Sequence, residues 1–193
     1  MMKSLQSLSN IARVAAATLF AGILLTASVA RSQTSTWNDP TGRFTLDLTS
    51  TRWTETVPAD GVLSSLESAR ARARGKFLTC EFRLLGPVPG TVELSQETAN
   101  AATQRFSLET LSNLDPEAQE ARVEHTNVDG VEVVDFAFRH LEGGGAHYRV
   151  RSFYLVSPQG IVQHQIWCGG ALPTSAEDEA EINGLLSTLR FLR

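Results

Sequence analysis

Residues 131–168 read VEVVDFAFRH LEGGGAHYRV RSFYLVSPQG IVQHQIWC, and the alternation in this stretch decides the fold. In its first segment Val134, Phe136 and Phe138 occupy even positions, with Asp135 and Arg139 on odd ones. In the second, Tyr148, Val150, Tyr154 and Val156 are even, and Arg149 and Arg151 odd. The third sets Val162, Ile166 and Cys168 against Gln163 and Gln165. Successive side chains of a strand point to opposite faces, so each segment predicts a strand with one core face and one wet face. The gaps at 142–145 (EGGG) and 157–160 (SPQG) carry the residues that tight reversals need, which makes the three strands an antiparallel meander. A one-residue slip would lay phenylalanines beside arginines, so the pattern also specifies register. Pairing Asp135 with Arg151 and Val133 with Phe153 keeps the faces matched and keeps Arg139 from facing Arg149.

Working outward, Arg122–Val128 reads as a weakly apolar edge strand joined to the meander through Asp129-Gly130. Ser95 is positioned as the N-cap of a helix reaching Leu114, with Ala99, Ala102, Phe106 and Leu111 along one stripe and Asp115-Pro116 as its stop. Phe77–Leu85 alternates as a strand, and Arg43–Leu48 as the first strand after the turn at 37–42; Trp53 is expected to cover one end of the core. For residues 62–74 the stripe Val62, Leu63, Leu66, Ala69 and Ala73 predicts a short helix stopped by Gly75. After Cys168 the run Gly169-Gly170-Ala171-Leu172-Pro173 is expected to break the sheet. Thr174-Ser175 then opens a last helix, with Glu177, Asp178 and Glu179 complementing its dipole and Ile182, Leu185, Leu186 and Leu189 buried. The fold class is α+β, a mostly antiparallel sheet of about six strands flanked by helices in layers.

The first thirty residues belong to a different problem. Lys3 and Arg13 precede an apolar, small-residue run from Val14 to Val29 that ends in Ser28-Val29-Ala30, the pattern of a secretory signal peptide. The competing reading is a retained membrane anchor. The run is short for a span, rich in Ala and Thr, and followed at once by Arg31-Ser32-Gln33, which favours cleavage. Residues 31–193 then form one domain, without repeat or linker, carrying 15 Lys+Arg against 21 Asp+Glu for a net charge of −6. That balance argues against a nucleic-acid binder, and removal of the leader leaves no integral membrane association. The expected location is periplasmic or secreted.

Cys80 and Cys168 are the only cysteines. Each sits on the apolar face of its predicted strand, and an even count in an exported chain predicts a disulfide, with two separate buried thiols as the alternative. A bridge closing so long a loop contributes on the order of 4 kcal/mol in the chain-entropy account.

Three short patterns resemble the PsbP-like fold. They are Asp39, Gly42, Phe44 and Leu46 followed by Trp53; the Val128-Asp129-Gly130-Val131 entry to the meander; and the closing Leu185-Leu186 with Leu189-Arg190-Phe191. That fold is shared by the photosystem II extrinsic subunit, the Ran-binding Mog proteins and bacterial DcrB-type envelope proteins. The resemblance covers nearly all of residues 31–193 and implies a binding or assembly-accessory role in preference to catalysis. The matching positions are core and turn residues, so no partner surface carries over, and the cysteine pair is not part of the general pattern.

No constellation for chemistry stands out. His125, His140, His147 and His164 have no recognised ligand spacing, and the register puts His140 and His147 on opposite faces. His164 is expected in the core, hydrogen-bonded to the hydroxyl of Ser152 or Tyr154. A hydrolase centre built on His164 and such a hydroxyl is the enzymatic alternative, and it lacks an orienting acid and an oxyanion site. The glycines at 143–145 have no following helix or P-loop lysine, and read as a hairpin tip. No catalytic, metal-binding or cofactor-binding residue and no cofactor is therefore assigned. Arg70, Arg72, Arg74 and Lys76 with Arg149 and Arg151 form the candidate anion or partner surface, against the commoner outcome of solvated or paired charges. Phe153 and Leu155 give the second meander strand apolar residues on its wet face, which predicts a covering helix there or an open apolar patch. The expected partner is an envelope protein or a small hydrophobic ligand, lipid included.

Overall fold

The structure, a computed structural model, describes residues 36–49, 52–88, 94–141 and 144–192; the expected signal peptide lies outside the described residues. The chain opens with β1 (Thr36–Asn38), β2 (Phe44–Asp47), β3 (Trp53–Thr56), β4 (Ser64–Ser68), α1 (Ala69–Ala73) and β5 (Leu78–Pro87). Two helices follow, α2 (Gln96–Gln104) and α3 (Leu108–Leu114), then the meander β6 (Gln119–Val128), β7 (Val131–His140), β8 (Ala146–Ser157) and β9 (Gly160–Ala171). Helix α4 (Ala176–Leu186) and β10 (Arg190–Phe191) close it. Seven strands form one antiparallel sheet in the order β3-β4-β5-β9-β8-β7-β6, and β1-β2-β10 form a smaller one. The α+β class and the antiparallel sheet are as the patterning predicts, with more strands than it counted.

The meander has the expected register, with Val133 opposite Phe153 and Asp135 opposite Arg151. Asp129 and Gly130, both at positive φ, make the two-residue β6–β7 turn that a right-twisted hairpin favours. β6 is an edge strand, as its composition suggested.

Both faces of the sheet are covered, and here the expected wet face is corrected. On the even face of β7 and β8, Val134, Phe136, Phe138 and Val150 pack with Leu111 and Phe106 beneath α2 and α3. On the odd face Val133, Phe153 and Leu155 join Ile166, Cys168, Cys80 and Phe82 in a second, larger cluster. Its lid is the small sheet together with α4. Phe44 meets Phe153 edge-on at 5.2 Å, Phe191 meets Phe153 at 4.9 Å, and Trp37 stacks on Phe82 at 3.9 Å. The apolar pair Phe153 and Leu155 is thus covered, with the strands of the small sheet added to the helix that was expected.

Burial of the odd face makes Asp135 and Arg151 interior residues, 4% and 9% exposed. Arg151 donates through Nε at 2.8 Å and Nη2 at 2.7 Å to the two carboxylate oxygens of Asp135, and through Nη1 to the Leu186 carbonyl in the last turn of α4. The ion pair is bidentate, and its spare donor satisfies a helix-terminal carbonyl.

Three further expectations are corrected. Residues 62–74 are mainly strand. Leu66 pairs opposite Cys80 and Glu55 between β5 and β3, so sheet pairing on both sides outweighs helix propensity, and only Ala69–Ala73 is helical, capped by Ser68. The single helix from Ser95 is two. Ser95 caps α2 as expected, but Ser107 and Thr110 form a capping box that restarts the chain as α3. Gly169 and Gly170 do not end β9, which runs to Ala171. A Cβ on Gly169 would lie 2.5 Å from the His147 carbonyl oxygen, and one on Gly170 2.6 Å from that of Phe77, so the glycines let neighbouring backbones approach.

The bridge between Asp135 and Arg151 predicts a non-additive pair. Arg151→Met leaves Asp135 buried without its partner and is expected to cost about 3–5 kcal/mol in urea unfolding. Asp135→Leu combined with Arg151→Met should recover most of that loss, and simple addition of two large single-variant costs would contradict the geometry.

Candidate functional site

Helix α4 is held over the odd face of the sheet by ionic contacts at both ends. At its start, Ser175 and Asp178 form a capping box, and Asp178, 2% exposed, accepts from Arg74 Nη2 and Lys76 Nζ, each at 2.7 Å. Burial alone would raise the Asp178 pKa; the hydrogen bonds from Lys76, Ser175 and Arg74 outweigh it and hold the carboxyl well below the usual carboxylate range. Glu181, one turn on, accepts from the Ser68 hydroxyl and from Arg74 at 3.3 Å. At the far end Arg151 holds the Leu186 carbonyl. Ile182, Leu185 and Leu186 enter the core, while Glu179 and Asn183, with one edge of Ile182, look toward β6, β7 and β8.

Between that side of α4 and the sheet runs a polar groove of about 240 Å³. Register shows how it is built. Arg122 on β6, Ala137 on β7 and Arg149 on β8 form one cross-strand row, so a methyl group lies between two guanidinium-bearing side chains. The next row is Glu124, Asp135 and Arg151; on the other side Arg139 faces His147. Arg139 pairs with Glu120 at 2.7 Å, and Arg149 donates through Nη1 to the Asn183 side-chain oxygen. Arg122, Arg149, Glu124 and Glu179 make no ion pair among the described residues.

His147 occupies one end of this groove. It is 8% exposed, and neither Nδ1 nor Nε2 has a hydrogen-bond partner in the protein. Burial pushes its pKa down; the carboxylates of Asp178 and Glu179 and the nearby Gly170 backbone, which lies outside hydrogen-bond geometry, oppose this, and Arg139 adds to it. The same ring lines a second depression of about 150 Å³ walled by Phe77, Leu78, Leu172 and Pro173 and by the paired Lys76 and Asp178. A third, of about 430 Å³, adjoins Arg139, Leu172, Pro173 and Thr174. Buried polar atoms usually have partners. Here Arg149 Nε and Thr174 Oγ1 join the His147 nitrogens as unpaired atoms around three hollows that share lining residues.

The other sequence-designated residues are dispersed. Cys80 and Cys168 pair directly across β5 and β9 as a disulfide, Sγ–Sγ 2.03 Å and Cα–Cα 4.0 Å, fully buried in the core beneath α4 and the small sheet. The arginines and lysine do not assemble into one surface. Arg72 is bonded to Glu67, Arg74 and Lys76 to the acidic start of α4, and Arg151 is interior; Arg70 is exposed and Arg149 faces the groove. Opposite charges in the same chain account for the difference, because the basic run fastens the acidic one.

The four histidines are likewise separate. His140 Nε2 lies 2.8 Å from Asp115 and His125 Nε2 3.0 Å from the Phe106 carbonyl, and among the described residues no group of three His, Cys, Asp or Glu side chains could hold a metal. His140 and His147 are on opposite faces, as the alternation implies. His164 is a core residue, but its neighbours differ from expectation. It stacks on Phe153 at 5.6 Å with planes 5° apart, and meets Phe44 edge-on at 5.8 Å. Ser152 is paired opposite Gln165 and Tyr154 opposite Gln163, so both hydroxyls point to the other face; Ser152 Oγ accepts from Gln163 Nε2 at 2.8 Å. A Ser152–His164 pair is therefore not formed. What the sequence did not designate is His147 as a groove residue, since its isolation follows from packing and no motif marks it.

No family model matches the chain, and no curated protein is similar to it in sequence. Solved structures similar to it include LpqN of Mycobacterium tuberculosis, described as involved in cell envelope biogenesis, at 6% identity over 74% of this chain and 79% of that one, with a TM-score of 0.50. They also include the PsbP of Synechocystis, CyanoP, at 11% identity over 81% and 91% with a TM-score of 0.45. A protein of Bacteroides thetaiotaomicron matches at 11% identity over 82% of this chain and 48% of its own, with a TM-score of 0.43. The likeness to LpqN holds at the level of architecture. At such identities it concerns fold alone. The fold and groove together define an α+β protein with a polar hollow along its last long helix, and among the described residues no helix is long and apolar enough to cross a membrane.

His164 gives a pH dependence whose sign can be worked out. Burial lowers its pKa from 6.5 to about 4, with Asp39 opposing and Arg43 assisting. The unfolded chain thus binds a proton at a pH where the folded one does not, so stability is full above 6.5 and falls as pH drops toward about 4. Urea unfolding should show a slope of roughly 1 kcal/mol per pH unit in that window. His164→Phe should flatten it, and an unchanged slope in the variant would rule this assignment out.

Proposed function

We propose that this is an exported accessory protein of the cell envelope that acts by binding, through the hollows beside α4, without a reaction centre of its own. The observation that carries this reading is the set of desolvated polar atoms at the groove, His147 Nδ1 and Nε2 above all, which have no partner within the protein and are suited to one supplied from outside. Export is supported by the leader-like residues 1–30 and by the Cys80–Cys168 disulfide, a bond characteristic of oxidising compartments. The envelope role is in keeping with LpqN, which shares the fold and is described as acting in envelope biogenesis. Residues 31–193 act as a single domain after removal of the leader.

The separation of Ser152 from His164 by the thickness of the sheet speaks against the hydrolase alternative. An enclosed lipid site between helix and sheet also has little support, because Phe44, Phe82, Phe153 and Ile166 fill that space and the groove is lined by charge.

Titrating isotope-labelled protein with the small-molecule fraction of an envelope extract should shift amide signals of Ala137, His147 and Arg149 in a saturable manner. The protein recovered from the envelope should have a mass beginning at Arg31 with both cysteines oxidised. Turnover of ester or amide probes that His164→Ala abolishes would overturn the binding reading.

A further inference from the structure

The charges of the groove constrain its occupant more narrowly. Arg139 and Arg151 are neutralised by Glu120 and Asp135, which leaves Arg122 and Arg149 as unpaired cations and Glu124 and Glu179 as unpaired anions. The two arginines stand on strands flanking β7, about 10 Å apart at the backbone from two strand spacings. Only the methyl of Ala137 lies between them, so long side chains can converge on one oxygen-bearing group. Guanidinium forks match a carboxylate in plane and charge. A site meant for a dianion would not carry two acidic side chains on its rim, and a site meant for a cation would not place two arginines at its floor.

Glu179 lies at the His147 end, near enough for its charge to act on the imidazole. A neutral imidazole has one acceptor nitrogen, and here no protein donor reaches it. Beyond the ring the lining is mainly apolar, with Phe77, Leu78, Leu172 and Pro173 beside the mutually paired Lys76 and Asp178. Phe77 is 74% exposed, an unusual state for a phenylalanine beside a hollow. Anion recognition, cation recognition and an apolar recess thus follow one another along a path through His147. The groove and the recess, of about 240 and 150 Å³, together fall at the low end of the ~300–1,000 Å³ of sites for drug-sized ligands, which suits a small molecule.

The geometry points to a small zwitterion of the α-amino acid class with an apolar side chain: its carboxylate between Arg122 and Arg149, its ammonium at Glu179 and His147, and its side chain toward Phe77, Leu172 and Pro173. This assignment rests on the binding role proposed above and names the chemistry of that same groove. Glu124, one row beyond the arginines on β6, adds negative charge that discriminates against phosphate.

The test uses four probes on the oxidised protein, followed by amide shifts at Ala137, His147 and Arg149. L-Phenylalanine should bind saturably, whereas 3-phenylpropionate, which lacks the ammonium, phenethylamine, which lacks the carboxylate, and inorganic phosphate should each bind at least tenfold more weakly. Arg122→Gln and Glu179→Gln, both at exposed positions on regular elements, should each weaken phenylalanine tenfold or more with thermal unfolding unchanged. Equal binding of phenylalanine and phenylpropionate would overturn the zwitterion and leave the groove as a binding site. If an envelope extract shifts the groove signals and none of the four probes does, this inference falls while the binding role stands; if neither does, both fall.

Discussion

The position of Arg151 governs the rest of the molecule. A guanidinium taken into a protein interior loses several kcal/mol of hydration, and attraction to one carboxylate compensates only when the geometry is good and the remaining donors are used. Arg151 meets both conditions, because Asp135 is directly opposite on the neighbouring strand and the last turn of α4 offers a free carbonyl. The charge that the sheet must satisfy is therefore also what draws the end of α4 down onto it. Leu185, Leu186 and Leu189 follow into the core, and β10 is delivered to the small sheet immediately afterward.

The groove is a consequence of how the other end of that helix is fastened. Arg74 and Lys76, on the turn after α1, reach the acidic first turn of α4 and hold it near β5 and the β9 terminus. With both ends fixed, the stretch between them passes over β6 to β8, where the odd face carries Arg122, Arg139, His147 and Arg149. Long charged side chains cannot be covered as flush as valines, so a hollow persists there. The same helix thus closes a core on one side of its axis and roofs a polar space on the other.

How far the sequence reveals this depends on the scale of the interaction. Pairing was legible: a two-residue Asp129-Gly130 turn, strict alternation and the complementary charges of Asp135 and Arg151 all demand one register. Which face is wet was not. Alternation marks a face as polar, but Asp135 and Arg151 are polar and interior at once, a state available only because they satisfy each other. Phe153 and Leu155 were the residues that betrayed a second layer, and the strands that supply it are too short to advertise themselves. Residues 64–68 contain good helix formers and are strand because β3 and β5 hydrogen-bond on either side. The break between α2 and α3 was written in Ser107 and Thr110, a capping pair inside what looked like one apolar stripe. The basic run at 70–76 looked like a surface because its acidic complement lies about a hundred residues away along the chain.

His147 was the least legible residue, and the reason lies in backbone packing. Gly169 and Gly170 bring β9 against the His147 carbonyl and the Phe77 carbonyl at distances that no other residue type would permit. The strand carrying His147 is thereby drawn in at its start, and the ring is left beneath α4, over a glycine, with neither nitrogen in hydrogen-bond geometry to a group of the protein. A larger residue at Gly169 would push β8 away from β9, and one at Gly170 would push the start of β5 away, so that the ring would lose its place at the end of the groove. The two glycines, which in the sequence look like the end of a strand, thus set how closely the imidazole is packed at the end of the groove.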